Sequence, residues 1–326
     1  MKKAVGTLSF IVIMVLCCVI LVGCNSGKEG EYTGSIKTIA VSETQIRLGG
    51  WSPDGKWIVY TEKTGEKEFG VAKVNIETEE VVNLLKTSET AGSAAWSPKG
   101  DLIAYSLSGD IWTMNTDGTE KKQLTKNKEL REDVTWGLDG DRIYVLHGPA
   151  SELLISEVNV QTGEIKKVFS TDYPLPAGLG RQRPNGGILG WTWGAKGFWL
   201  CEIDVAKNEL HDIISQTLLV NRKDEELWLT YPDSSPDGRF IVYQEGKYAQ
   251  GGIQLVKPDG SGKATIISDV TILNGNRNLG ASKPMWSPKY DVIAFTVYPY
   301  NPEKVTYGIA LFRFDEACLA KLRPGN

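Results

Sequence analysis

Apolar and polar residues alternate with a period of two along most of this chain, and the alternation keeps returning to one ten-residue form. "WSPDGKWIVY" at 51–60 is followed by "WSPKGDLIAY" at 96–105, "SSPDGRFIVY" at 234–243 and "WSPKYDVIAF" at 286–295. Two degenerate copies, "WGLDGDRIYV" from Trp136 and "QRPNGGILGW" from Gln182, keep the phase between them. Six copies at intervals of 40–52 residues mark a propeller or a solenoid.

Each copy opens on a turn. Pro53, Pro98 and Pro184 fix a negative φ, and Gly55, Gly100 and Gly186 stand where φ must be positive. Copy three has Leu138 in place of Pro and keeps Gly140. Copy six has Tyr290 at the Gly position, where an identical turn would strain it, so a different turn is expected there. After the turn, Ile58, Ile103, Ile143, Leu189, Ile241 and Ile293 stand seven residues beyond the Trp position, and Tyr60, Tyr105, Val145, Trp191, Tyr243 and Phe295 stand nine beyond. Val59, Ala104, Gly190, Val242 and Ala294 lie between them. Period two means strand, and apolar residues on both faces mean that both faces are covered. Large residues on one face and small ones on the other let one sheet nest on the next. Tyr144 breaks the rule and requires a local gap.

A second strand follows at 70–76, 110–116, 153–160, 198–205, 252–257 and 308–314. A polar turn such as Asp117-Gly118 or Asp259-Gly260 leads to a third, for example 121–125 or 263–268. With the segment that ends in Trp-Ser-Pro, each period holds four strands. The predicted fold is all-β: a six-bladed β-propeller of four-stranded antiparallel blades. Helical periodicity is nearly absent, which excludes a helical solenoid. The ring must close, because an open one exposes edge strands. Segment 36–42, "IKTIAVS", is predicted to close it as the outer strand of the last blade; 318–323, "CLAKLR", is the competing choice.

The N-terminus changes the picture. Met1-Lys2-Lys3 precedes an apolar run from Leu8 to Val22, too short for a comfortable membrane span, which reads as an export signal. It ends in Leu21-Val22-Gly23-Cys24, which resembles a bacterial lipobox. The resemblance implies a signal peptide over 1–23 and a lipid, palmitate among its chains, on Cys24; an uncleaved anchor is the alternative. Residues 24–35 then form a tether and 36–326 a single propeller, held at the bacterial cell membrane and facing outside the cytoplasm. Removal of 1–23 takes Lys2 and Lys3 and no acid, leaving 34 basic against 40 acidic residues. That balance argues against a nucleic-acid partner. Of the five Cys, Cys201 and Cys318 remain in the propeller. Cys201, inside an apolar strand pattern, reads as a buried thiol, with a Cys201–Cys318 bridge as the alternative.

"WSPDGK.IVY", "AAWSPKGDLIAYS" with "DIWTMNTDGTEKKQLT", and "SSPDGRFIVY" resemble the WD40-like repeats of the TolB-like six-bladed propellers. The resemblance covers about 35–315 and implies the architecture. It transfers no site residue, and propellers host many unrelated functions. The extra N-terminal docking domain of the family's founding members has no counterpart in a tether of about ten residues, so their transport role is not carried over.

Catalytic signatures are scarce. The chain has two His, His147 and His211, and no G-x-S-x-G, H-E-x-x-H or Gly-rich phosphate loop. No metal and no cofactor is expected. The long connections on the rim opposite the short turns carry aromatic, Asn and Arg residues of the kind that recognition surfaces enrich. Tyr173, Arg181, Arg183, Asn276, Arg277, Tyr298 and Tyr300 are the ligand-face candidates. The expected function is a non-catalytic binding or scaffold propeller for a protein, peptide or cell-envelope ligand. The alternative is an envelope hydrolase or lyase acting in the central channel. Carboxylates and His converging on the channel would favour the enzyme, and an apolar or aromatic funnel would favour binding. Arg181→Ala with Arg277→Ala is expected to weaken ligand capture without lowering thermal stability.

Overall fold

The segment ending at each repeat's Trp position is the inner strand of a sheet. In blade order these strands are Ile46–Trp51, Ala91–Trp96, Leu130–Trp136, Pro176–Gln182, Trp228–Ser234 and Asn276–Trp286. The computed structural model describes residues 20–22, 32–126, 130–147, 153–171, 176–194, 197–217, 228–247, 250–268, 271–273, 276–299 and 307–322. In blades one to five, four antiparallel strands follow one another outward in chain order. Among the described residues no helix is long and apolar enough to cross a membrane.

The alternation of large and small residues is what packs the ring. Six apolar clusters fill the six gaps between blades. Ile58 and Tyr60 face back toward blade six, while Val59 faces forward with Ile103 and Tyr105 of blade two. Ala104 faces forward again, against Ile143 and Val145 of blade three. Each blade thus contributes one face to each of two cores, and no blade has a core of its own. Tyr144 finds its space between blades three and four, beside Cys201 and Ile203, where the facing strand carries Gly190.

Blade six closes the ring with both chain ends. Gly34–Ser42 runs antiparallel to Tyr307–Phe314, from the Gly34–Phe314 pair to the Ser42–Tyr307 pair. The predicted 36–42 strand is therefore present and slightly longer. Ile20–Val22, inside the segment read as a leader, pairs with its outer edge. Without that piece, Gly34–Ser42 is an outermost strand like those of the other blades. On the channel side a short strand, Thr271–Leu273, pairs with Asn276–Trp286.

Three expectations are corrected. The segment 318–323 is not a strand: Glu316–Leu322 is a helix that buries Cys318, Leu319 and Leu322 on one face. Asp315 caps it, accepting a hydrogen bond from the Cys318 amide at 2.8 Å, which satisfies one of the free amides of a helix start. The turn at Tyr290 is not different. Its amide donates to Ser287 O at 3.1 Å, as Gly55 donates to Ser52 O at 2.8 Å, and Tyr290 adopts φ 67° to do so. Blade four is one residue out of phase. Trp51 pairs with Ile58 and Trp286 with Ile293, but Gln182 pairs with Ile188. Its turn is one residue shorter, and a one-residue slip exchanges the faces. Ile188 therefore packs toward blade three and Leu189 toward blade five. Cys201 and Cys318 are both buried free thiols, with no bridge between them.

Candidate ligand site in the central channel

All six inner strands carry a register shift against the second strand, one extra residue in five of them and two in blade three. Their pairing with the second strand shifts register between Leu48 and Gly50, Ala91 and Ala94, Leu130 and Val134, Leu179 and Gln182, Thr230 and Asp233, and Ser282 and Met285. Each shift is a bulge within a few residues of the Trp position. A bulge bends the strand and re-aims side chains. Here it turns Ser93, Asp133, Arg181, Tyr231 and Lys283 toward the axis, where they line one cavity of about 300 Å³. Glycine is needed where these strands crowd. A Cβ at Gly49 would lie 2.3 Å from Ala94 O, and one at Gly180 would lie 2.2 Å from Pro232 O.

The wall is mostly apolar: Leu179, Pro232, Pro284 and Met285 at the bulge level, with Pro53 and Pro98 toward the short-turn rim. Polar groups on it are largely committed. Arg181 Nε lies 3.1 Å from Asp233 Oδ1, and its guanidinium donates to Trp286 O at 3.1 Å. Asp233 Oδ2 accepts from the Trp286 amide at 2.6 Å. This network ties the inner strands of blades four, five and six together. Burial pushes the Asp233 carboxyl up, against the pull of Arg181 and of the Trp286 and Ser234 amides. Ser93 Oγ, in turn, accepts the Val134 amide of blade three at 2.9 Å.

Tyr231 and Lys283 stand apart. Both are left-handed, at φ 52° and 49°, and both precede a proline. The left-handed region costs an L-residue roughly 1–2 kcal/mol. The Tyr231 ring packs against Trp191, with centroids 5.4 Å apart. Burial raises its hydroxyl, Asp133 adds to the rise, and Arg47 opposes it. The Lys283 side chain is surrounded by protein, and water still reaches it along the channel. Burial pulls its ammonium pKa down; Asp133 opposes this and Arg47 reinforces it.

The sequence candidates are scattered. Arg181 lines the channel but is half-buried in the network above, so Arg181→Ala strands a buried carboxylate and is not a neutral probe of binding. Arg183 lies on the opposite rim from the one expected. It sits in the tight turn of blade four, 8% exposed, paired with Glu202 and donating to Gly238 O at 2.9 Å. Its role there is to join two turns. Tyr298 is half-buried, with its hydroxyl accepting from Gln244 Nε2 at 3.3 Å. Asn276 and Arg277 lie at the start of the long inner strand of blade six; their side chains, and all of Tyr173, Tyr300 and Cys24, fall outside the described residues. His211 is on the outer strand of blade four, 3.4 Å from Glu209 and away from the channel. Among the described residues no three or more His, Cys, Asp or Glu are grouped to hold a metal. The residues missed, Asp133, Tyr231, Asp233 and Lys283, had one available signal. They stand one or three places before the Trp position in the aligned copies.

The profile of the TolB beta propeller domain matches residues 33–290. The Tol-Pal system protein TolB of Anaeromyxobacter dehalogenans (strain 2CP-C) is 26% identical over 112 residues, which is 32% of this chain and 25% of that protein. The match thus spans about a quarter of the length of that curated relative. Among solved structures, a protein assigned as TolB from Agrobacterium tumefaciens superposes with a TM-score of 0.57 at 17% identity, covering 74% of this chain and 96% of that one. A gluconolactonase from Xanthomonas campestris gives 0.62 at 12% identity, over 87% and 90%. An oligogalacturonate lyase from Vibrio parahaemolyticus gives 0.57 at 11% identity, over 93% and 97%. At such identities these likenesses show the fold alone.

Proposed function

Because the chain belongs to the TolB β-propeller domain family, we propose that it is a non-catalytic binding protein of the bacterial cell envelope, anchored by lipid on Cys24, that holds a protein, peptide or glycan ligand in its central channel. One observation carries this reading: six inner strands are each bulged, and chemically distinct side chains from the bulged stretches line a single cavity. The character of the cavity favours capture over catalysis. Its wall is mostly apolar, and Arg181 and Asp233 are committed to each other and to backbone. No His is among the described residues that line it. Asp133, Tyr231 and Lys283 are the other titratable groups on it, and neither Tyr231 nor Lys283 is hydrogen-bonded to Asp133 as an acid–base pair would be. The anchor reading rests on the lipobox-like run ending at Cys24, and two or more acyl chains hold a protein firmly at a bilayer.

The test is photo-crosslinking in intact envelopes. p-Benzoylphenylalanine replaces Tyr231 in the channel or, as a control, Val81 on the outer strand of blade one, which is 46% exposed. The channel position is expected to give a discrete adduct that the control does not. No adduct from Tyr231, or the same adducts from both positions, would overturn the reading.

A further inference from the structure

This inference rests on the channel-binding reading and names the chemistry that the channel takes. Two neighbouring inner strands, in blades five and six, hold a non-glycine residue in the left-handed region immediately before a proline. Strained backbone of this kind persists only where the surroundings enforce it, and it gathers at functional sites. Both strained residues present their side chains to the same cavity.

Lys283 has something to gain from a ligand. It is half-buried in the channel wall and makes no hydrogen bond or ion pair with any described residue. Asp133 acts on it only at longer range. Arg181 is already engaged by Asp233 and Trp286 O. Arg47 is near enough to act on both Tyr231 and Lys283, and it adds a further positive charge. Arg181 is thus matched by a carboxylate in contact, Asp233, whereas no described carboxylate is in contact with Lys283. A half-buried ammonium without a partner is stabilised by an anion that brings its own hydrogen-bond acceptors.

We propose that the channel takes a carboxylate seated on Lys283 Nζ, carried by a ligand whose apolar part lies against Tyr231 and Met285. A carboxylate brings one negative charge and two acceptor oxygens to this ammonium. A phosphate dianion would meet stronger repulsion from Asp133 and Asp233. The carboxylate comes from a free small acid or from an acidic side chain of a peptide, and the chemistry at Lys283 is the same.

The test compares thermal unfolding of the full chain in sodium acetate, in N-acetylglutamate amide and in its uncharged glutamine analogue, with sodium chloride at the same ionic strength as reference. Inorganic phosphate is a further arm. The wild type is expected to melt higher with acetate or the glutamate compound than with chloride, phosphate or the glutamine analogue. Lys283→Met is expected to melt about 2–4 °C above the wild type in chloride and to respond to neither carboxylate, while Lys283→Arg keeps the response. A larger shift with acetate assigns a free acid; a larger shift with the glutamate compound assigns a peptide side chain. A wild type that shows no carboxylate-specific shift, a shift that persists in Lys283→Met, or a Lys283→Met protein that melts below the wild type overturns the proposal. Channel adducts from position 231 that survive such a result would leave the binding reading standing and remove only the carboxylate.

Discussion

Arg181→Ala separates a structural network from a ligand-binding surface. Asp233 is 4% exposed and is held by Arg181 at 3.1 Å and by the Trp286 amide at 2.6 Å. Removal of the guanidinium leaves a buried carboxylate with only backbone partners. Breaking a buried pair from one side costs about 3–5 kcal/mol. At about 2–4 °C per kcal/mol, even the lower figure is a fall of about 6–12 °C in Tm. Arg181→Met with Asp233→Leu removes both charges; the Trp286 carbonyl loses Arg181 in both variants, and only the double one also strips the Trp286 amide of Asp233, a loss of about 1–3 kcal/mol. The double variant should therefore be more stable than Arg181→Ala, by about 2 kcal/mol. Denaturant titration of the wild type and the variants gives the comparison. A loss under about 1 kcal/mol in Arg181→Ala, or a double variant weaker than the single, would show that solvent already screens Asp233 and would refute the network.

Other consequences are open to measurement. Tyr290→Gly relieves a left-handed residue and should raise stability by about 0.5–1 kcal/mol after the added chain entropy of glycine, read as a shift in denaturant midpoint with unchanged slope. The Thr33 hydroxyl and the Cys318 amide hold the Asp315 carboxyl below its ordinary 3.8. Since the folded value lies below the unfolded one, this stabilisation is present above about pH 4 and is lost as pH falls through the folded value. The Tm gap between wild type and Asp315→Asn should therefore be constant at pH 5–7 and shrink below pH 3.8. Cys201 is buried and its thiol is pushed up to about 12, so Ellman's reagent should modify it only at the rate of unfolding; rapid labelling of the native chain would contradict its burial.

The parts of the fold that repeat were legible, and the parts that depend on register were not. Trp-Ser-Pro-Asp-Gly and the Ile-x-Tyr alternation are local, so each copy announces its own turn and second strand. Segment 36–42 was legible as a closing strand because a ring needs one and "TIAV" alternates. The helix at Glu316–Leu322 was missed because seven residues show less than two turns of periodicity. Blade four misled because Gln182 replaces Trp and Gly186-Gly187 shortens the turn without disturbing the apparent alignment. The site lay in the bulges, and a bulge is a relation between two strands that neither sequence shows alone. Ser93, Asp133, Tyr231 and Lys283, each three places before the Trp position, look like ordinary strand residues until the pairing shift aims them inward. Loop composition drew the search to the rim, and it brought Arg183 along, whose turn is on the other side of the ring.

The most direct measurement is a crystal structure of the protein grown with the molecule recovered from the position-231 adduct. Density for that molecule inside the ring, between Tyr231 and Lys283, is the predicted result. Density on an outer strand or on the short-turn rim, with the channel holding only water, would contradict the account.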